Sequence, residues 1–81
     1  MKEEYVATFH THFSALISAK KLSEKGVKNR MAPVPRKLSS SCGTCIMYCA
    51  EAPCIELLDC DVEGVYSVTE GGGYELVHSN P

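Results

Sequence analysis

The sequence predicts an α+β fold in which two helices cover one face of an antiparallel sheet, in the order β-α-β-β-α-β with an extra C-terminal strand. Three observations carry this. Short stretches rich in β-branched and aromatic residues recur along the chain, each bounded by turn residues or charge. A segment with helical spacing and its own start and stop signals lies between the first two of them. The last two are joined by Glu70-Gly71-Gly72-Gly73, a loop of hairpin length and chemistry.

Taken in order, Tyr5 to Phe9 (YVATF) is apolar and bounded by acids before and His-Thr-His after, and reads as a strand. Thr11 then suits a helix N-cap. Phe13, Leu16, Ile17 and Leu22 fall near one helical face, Lys20, Lys21 and Lys25 crowd the C-terminal end where cations suit the dipole, and Gly26 closes the helix. Val27 to Val34 alternates loosely and carries Pro33, which removes a ladder donor, so it is expected at a sheet edge. Pro35 to Gly43 is turn-rich and reads as a loop. In Thr44 to Ala50 (TCIMYCA) the run is short and apolar on every side, and Gly43 would fall in the first turn of any helix there. Although Cys42, Cys45 and Cys49 are spaced i, i+3, i+7, the reading is a buried central strand. Glu51 to Cys60, with Pro53 at a first helical position and Ile55, Leu57 and Leu58 to bury, reads as a short second helix. Gly64 to Thr69 and Tyr74 to His78 are strands. This order is the split βαβ, ferredoxin-like arrangement. Its second sheet face has no helix to cover it, which favours a homodimer.

At 81 residues the chain is read as a single domain, 1–81, with a thin core. Its charge is segregated: residues 1–40 hold eight Lys and Arg against three acids, +5, while residues 41–81 hold seven acids and no base, −7, which nets to −2. With a pI near 5.8 and no aromatic-interleaved basic stripe, a nucleic-acid partner is not expected. The split suits a compact fold whose halves face each other, or a dipolar docking surface. No apolar segment approaches a membrane span of about 20 residues, and the acidic start lacks the pattern of a secretory signal, so a cytoplasmic protein with reduced thiols is expected.

All five cysteines lie between positions 42 and 60. In the expected topology the end of strand one (His10, His12), the loop between strands two and three (Arg36 to Cys42) and the end of helix two (Cys60) come to neighbouring edges of the sheet. Cys42 stands out. It follows Arg36 and Lys37, whose charge favours thiolate, and precedes Gly43, which permits close backbone approach. Read structurally instead, it is a small half-buried loop residue. Cys45 lies just inside strand three, so Cys45 or Cys60 could exchange with a thiolate at Cys42. His10 and His12 are either a solvated strand-to-helix corner or supports for the thiolate.

The chain resembles the selenium/sulfur (Se/S) carrier-like family of small bacterial proteins over roughly residues 4 to 77. The resemblance rests on Phe9 to Ala15 entering the first helix, on the loop Pro35-Arg36-Lys37-Leu38-Ser39-Ser40-Ser41-Cys42-Gly43, and on the late Gly64-Val65-Tyr66. It implies a carrier rather than a turnover enzyme, which holds sulfur or selenium on Cys42 and passes it between donor and acceptor proteins without a cofactor. SirA-type relay proteins, with a β-α-β-α-β-β sandwich, are the alternative fold; their Cys-Pro-x-Pro motif is absent here.

Two other constellations compete. Cys42, Cys45, Cys49 and Cys54 supply enough thiolates for zinc or an iron-sulfur cluster, but only one Cys-x-x-Cys arm is present, and a strand over 44–50 would separate Cys42 from Cys54. Cys42-Gly43-Thr44-Cys45 could be a dithiol redox pair, yet such sites open a helix after a strand, and here a loop enters a strand.

Overall fold

The computed structural model describes residues 2–38 and 43–79. Strand β1 (Glu3–Phe9) leads into helix α1 (His12–Glu24), followed by β2 (Lys28–Pro33), β3 (Thr44–Ala50), one turn of 3-10 helix (Ile55–Leu57), β4 (Val62–Val68) and β5 (Tyr74–Ser79). The strands form one sheet of order β2-β3-β1-β4-β5, antiparallel at every pairing. One helix on a five-stranded antiparallel sheet is an α+β architecture, consistent with a ferredoxin-like arrangement. The SirA-type order does not fit, because β2 pairs directly with β3 and only a 3-10 turn separates β3 from β4. No helix among the described residues is long and apolar enough to cross a membrane.

Strand alternation decides the faces. Tyr5, Ala7 and Phe9 point to the α1 side, and their partners across the ladder, Tyr48 for Tyr5 and Ile46 for Ala7, point the same way, building the core with Val62, Val65 and Leu58. The Tyr5 and Tyr48 rings stack at 5.4 Å between centroids. The opposite face runs in rows: Lys28, Cys49, Glu4, Val68 and Tyr74 in one, Arg30, Met47, Val6, Tyr66 and Leu76 in the next, then Ala32, Cys45, Thr8 and Gly64. Among the described residues no helix covers these rows, yet Val6, Thr8 and Cys45 are buried. Lys37 Nζ donates to the Gly72 carbonyl at 3.4 Å, so the β2–β3 loop and the β4–β5 hairpin tip meet.

Helix α1 starts and stops as expected. Thr11 Oγ1 accepts from the Ser14 N–H, and at the other end the Gly26 N–H donates to Ser23 and the Val27 N–H to Leu22, with Gly26 at φ +76. This is a Schellman closure, which requires a left-handed residue at that point. The face it buries is not the one expected. Ser14, Ala15, Ser18 and Leu22 are turned to the sheet, while Phe13 and Leu16 are exposed. The reason is steric and polar together. The sheet side already carries the rings of Tyr5, Phe9 and Tyr48, against which the small Ser14, Ala15 and Ser18 pack, with Leu22 entering the core at the last turn. The buried serines in turn satisfy the chain that enters β4: Ser18 Oγ accepts the Asp59 N–H at 2.8 Å, and Ser14 Oγ donates to Asp61 Oδ2 at 2.9 Å.

The second helix expected over 51–60 is absent; only Ile55–Leu57 winds, as a 3-10 turn closed by Leu57-to-Cys54 and Leu58-to-Ile55 bonds. Cys54 stands at φ 53, ψ 39, in the left-handed region. A residue there interrupts any right-handed helix begun at Pro53. The Pro53 carbonyl is engaged by the Tyr48 hydroxyl instead.

Candidate functional site

Three segments reach the same rim of the sheet: the end of β1, the β2–β3 loop and the entry to β4. The ladder requires it, since Thr8 pairs with both Cys45 and Gly64, Phe9 with Val62, and Pro33 with Thr44. His10 extends β1 by donating its N–H to the Asp61 carbonyl at 3.2 Å, and its Nδ1 lies 3.5 Å from Glu63 Oε2. His12 begins α1 and is exposed, as is Cys60, the residue before Asp61. His10, His12 and Cys60 thus lie along one rim. The carboxylates of Asp61 and Glu63 were not singled out by the sequence. Asp61 accepts from both Thr11 and Ser14, which pins β4's entry to the start of α1. Only the serines' burial, invisible in the pattern, reveals that role.

The loop is anchored on both sides of its centre. The Val34 N–H donates to the Gly43 carbonyl at 3.1 Å, and the Leu38 N–H to Pro35, a tight turn. Gly43 is exposed at φ +73, a conformation glycine adopts without the Cβ penalty. Arg36 and Lys37 are exposed. Ser39, Ser40, Ser41 and Cys42 lie outside the described residues, so the structure locates the thiol singled out above only through its flanks, Leu38 and Gly43.

The other cysteines separate clearly. Cys45 is fully buried on the face opposite α1, one ladder position in from the rim, and its thiol donates to the Pro33 carbonyl at 3.7 Å. Cys49 pairs with Glu4 and Lys28 at the far rim. Cys54, in the turn beyond it, has its thiol pushed up by burial and by the Glu56 carboxylate, which keeps it protonated and a poor nucleophile. Cys45 and Cys49, four residues apart on an extended strand, are separated by about 13 Å. Among the described residues no three His, Cys, Asp or Glu side chains are grouped to hold a metal ion, so Cys45, Cys49 and Cys54 do not form a shared site. A groove of about 290 Å³ does exist at the far rim, on the uncovered face, lined among others by Val6, Lys28, Arg30, Met47, Cys49 and Tyr74. Lys37 of the β2–β3 loop reaches the Gly72 carbonyl in the hairpin tip beside it, between the lining residues Val68 and Tyr74.

Gly64 and Tyr66 face the same way from β4. A Cβ at Gly64 would touch the Tyr66 ring at 3.4 Å, so the Gly-x-Tyr spacing lets the ring lie over the backbone beside Thr8, whose hydroxyl bonds the Gly64 carbonyl.

No curated protein and no solved structure matches the chain. A family model does, from Glu4 in β1 to Gly64 in β4, an interval that includes the whole β2–β3 loop and the rim residues from His10 to Glu63. Since that interval is well over half of the 81 residues, the chain belongs to the family described as "Putative Se/S carrier protein-like".

Proposed function

We propose that this protein is a carrier of sulfur or selenium, with Cys42 as the carrying thiol, acting as a single domain in a reducing cytoplasm. The observation that supports it best is that the family match contains the Pro35-to-Gly43 loop, and that this loop opens on a rim already furnished with His10, His12 and exposed Cys60. A carrier thiol must be accessible, partly ionised and able to present a terminal sulfur. Arg36 and Lys37, six and five residues before Cys42 in the sequence, supply positive charge that favours thiolate. Gly43 supplies the left-handed link that lets the loop turn directly into β3.

The transfer is an exchange at sulfur. The Cys42 thiolate attacks the terminal sulfur of a donor persulfide, the donor S–S bond breaks, and the donor cysteine leaves as thiolate, so one sulfur moves with no net oxidation. Selenium would move by the same displacement from a perselenide. Delivery reverses the roles: an acceptor nucleophile takes the terminal atom and Cys42 leaves as thiolate. Family membership implies a donor and an acceptor in general. The protein's part is to hold and present, so no substrate pocket of the usual several-hundred-Å³ size is needed at this rim.

Intact-mass spectrometry tests the reading. After incubation with a cysteine desulfurase and cysteine, without reductant, the protein should gain the mass of one sulfur, and Cys42→Ser should abolish the gain. An adduct that persists in Cys42→Ser but disappears in Cys60→Ser would move the role to Cys60. No adduct from any persulfide donor would remove the reading.

A further inference from the structure

The outer face of α1 inverts the usual arrangement of an amphipathic helix. Phe13 is 70% exposed and Leu16 49%, with half-buried Ile17 beside them, while Ser14 and Ser18 are buried beneath. Large apolar side chains grouped on a surface while serines take the core mark an interaction site. The sheet edges do not offer a better one: β2 ends in Pro33 and carries Lys28 and Arg30, and β5 is irregular opposite Val65 and Tyr66.

The charge around the patch selects its occupant. His12 precedes it, Lys20 and Lys21 follow on the next turn, and Lys25 caps the helix, with Glu24 the one acid on α1. Two copies packing α1 against α1 about a two-fold axis through Leu16 and Ile17 would set Lys20 against Phe13 and Lys21 against His12 of the second copy. Apolar would then meet cation, and base would meet base. A socket lined with apolar side chains and rimmed by carboxylates satisfies every one of these groups. The patch begins at Phe13, next to His12 on the rim where the β2–β3 loop opens, and α1 runs from there for about 20 Å. A protein seated on Phe13 and Leu16 therefore borders the rim at which the β2–β3 loop begins.

We propose that Phe13, Leu16 and Ile17, with Lys20 and Lys21, are the docking surface for the enzyme that donates sulfur to Cys42, through an apolar socket rimmed by acidic residues. This rests on the carrier reading and adds the surface that presents the thiol to its donor. Phe13 is the anchor, since exposed aromatic residues with an apolar neighbour supply most of the energy of such contacts; the lysines accelerate encounter and make it salt-sensitive.

The experiment compares two donors on the full chain: a cysteine desulfurase with cysteine, which must dock, and sodium tetrasulfide, which need not. Phe13→Ala and Leu16→Glu should each slow desulfurase-dependent loading about tenfold or more, and Lys20→Glu with Lys21→Glu several-fold, mainly through KM. Tetrasulfide loading should be unchanged in all of them. Both apolar positions are exposed, and far-ultraviolet circular dichroism checks that the variants fold. Desulfurase loading at the wild-type rate in Phe13→Ala and Leu16→Glu overturns the proposal. So does loading of the wild type by tetrasulfide but not by the desulfurase, which leaves the carrier reading intact. Loading of Cys42 by neither donor overturns the carrier reading itself, and this surface with it. Sedimentation supplies the last arm: a dimer that Leu16→Glu converts to monomer would assign the patch to a second copy and overturn donor docking.

Discussion

Ser18 has no exposed surface and its hydroxyl accepts the Asp59 N–H, so a polar side chain in the core is what ties the chain entering β4 to α1. Ser18→Ala should cost about 1 to 2 kcal/mol, because the amide is left without that acceptor, and urea unfolding should show a lower midpoint with little change in slope. Tyr48 makes a second such tie. Its hydroxyl donates to Pro53, and burial, with Cys54 and the neighbouring Tyr5 and Glu56 adding to it, lifts its pKa well above the ordinary value of 10. Tyr5 is shifted the same way by burial and the Glu3 carboxylate. The folded state thus binds these protons more tightly than the unfolded one. Their contribution is complete below pH 10 and is lost as pH rises from there towards the folded-state values. Tyr48→Phe should therefore be less stable than wild type at pH 7, by about 1 kcal/mol or more, and the gap should narrow between pH 10 and 11 in parallel urea titrations. Cys54 offers a chemical counterpart: with its thiol pushed up, it should be alkylated by iodoacetamide at pH 8 several-fold more slowly than an unshifted thiol in the same urea-unfolded chain. None of these residues carries a visible signal in the sequence. Their roles depend on what lies across the fold, 41 positions away for Ser18 and Asp59.

Elements were legible where local chemistry decides and opaque where tertiary packing does. Thr44–Ala50 emerges as the expected central strand: β2 and β1 pair both of its edges, and Cys45, Ile46, Tyr48 and Ala50 are buried. Thr11 and Gly26 end α1 where their side-chain oxygen and missing Cβ allow. Gly26→Ala should cost about 1 kcal/mol through backbone strain alone, since nothing lies within 4 Å of the added methyl. A larger loss in thermal unfolding would mean that the Schellman closure also sets the start of β2. The buried face of α1 was misread because counting apolar residues on a helical wheel ignores the size of what the sheet presents. The second helix was misread because one left-handed residue, Cys54, cancels the propensity of its neighbours. For the site, the joining of rim segments followed from strand order, whereas Asp61 and Glu63 could not be told from ordinary surface acids.

For the whole molecule, the division of charge at residue 40 maps onto the fold as a basic helix and edge strand set beside an acidic entry to β4. His10 facing Glu63 is one place where the halves touch. Long-range attraction of this kind is screened within about 8 Å at physiological ionic strength, so it adds more to orientation of a partner than to stability. Thermal midpoints measured between low and about 0.5 M salt should accordingly shift little, while any docking through α1 weakens.

The stacked Tyr5 and Tyr48 rings, 28° apart in plane, give the molecule an internal optical reporter. With no tryptophan in the sequence and four tyrosines, the near-ultraviolet circular dichroism must come chiefly from tyrosine, and a closely stacked, buried pair held in fixed geometry dominates such a signal. The pair spans β1 and β3, and β3 begins at the residue after Gly43. A change at the loop that slips or loosens β3 would therefore register in the spectrum of the unlabelled protein, whereas one confined to the loop tip would leave it silent.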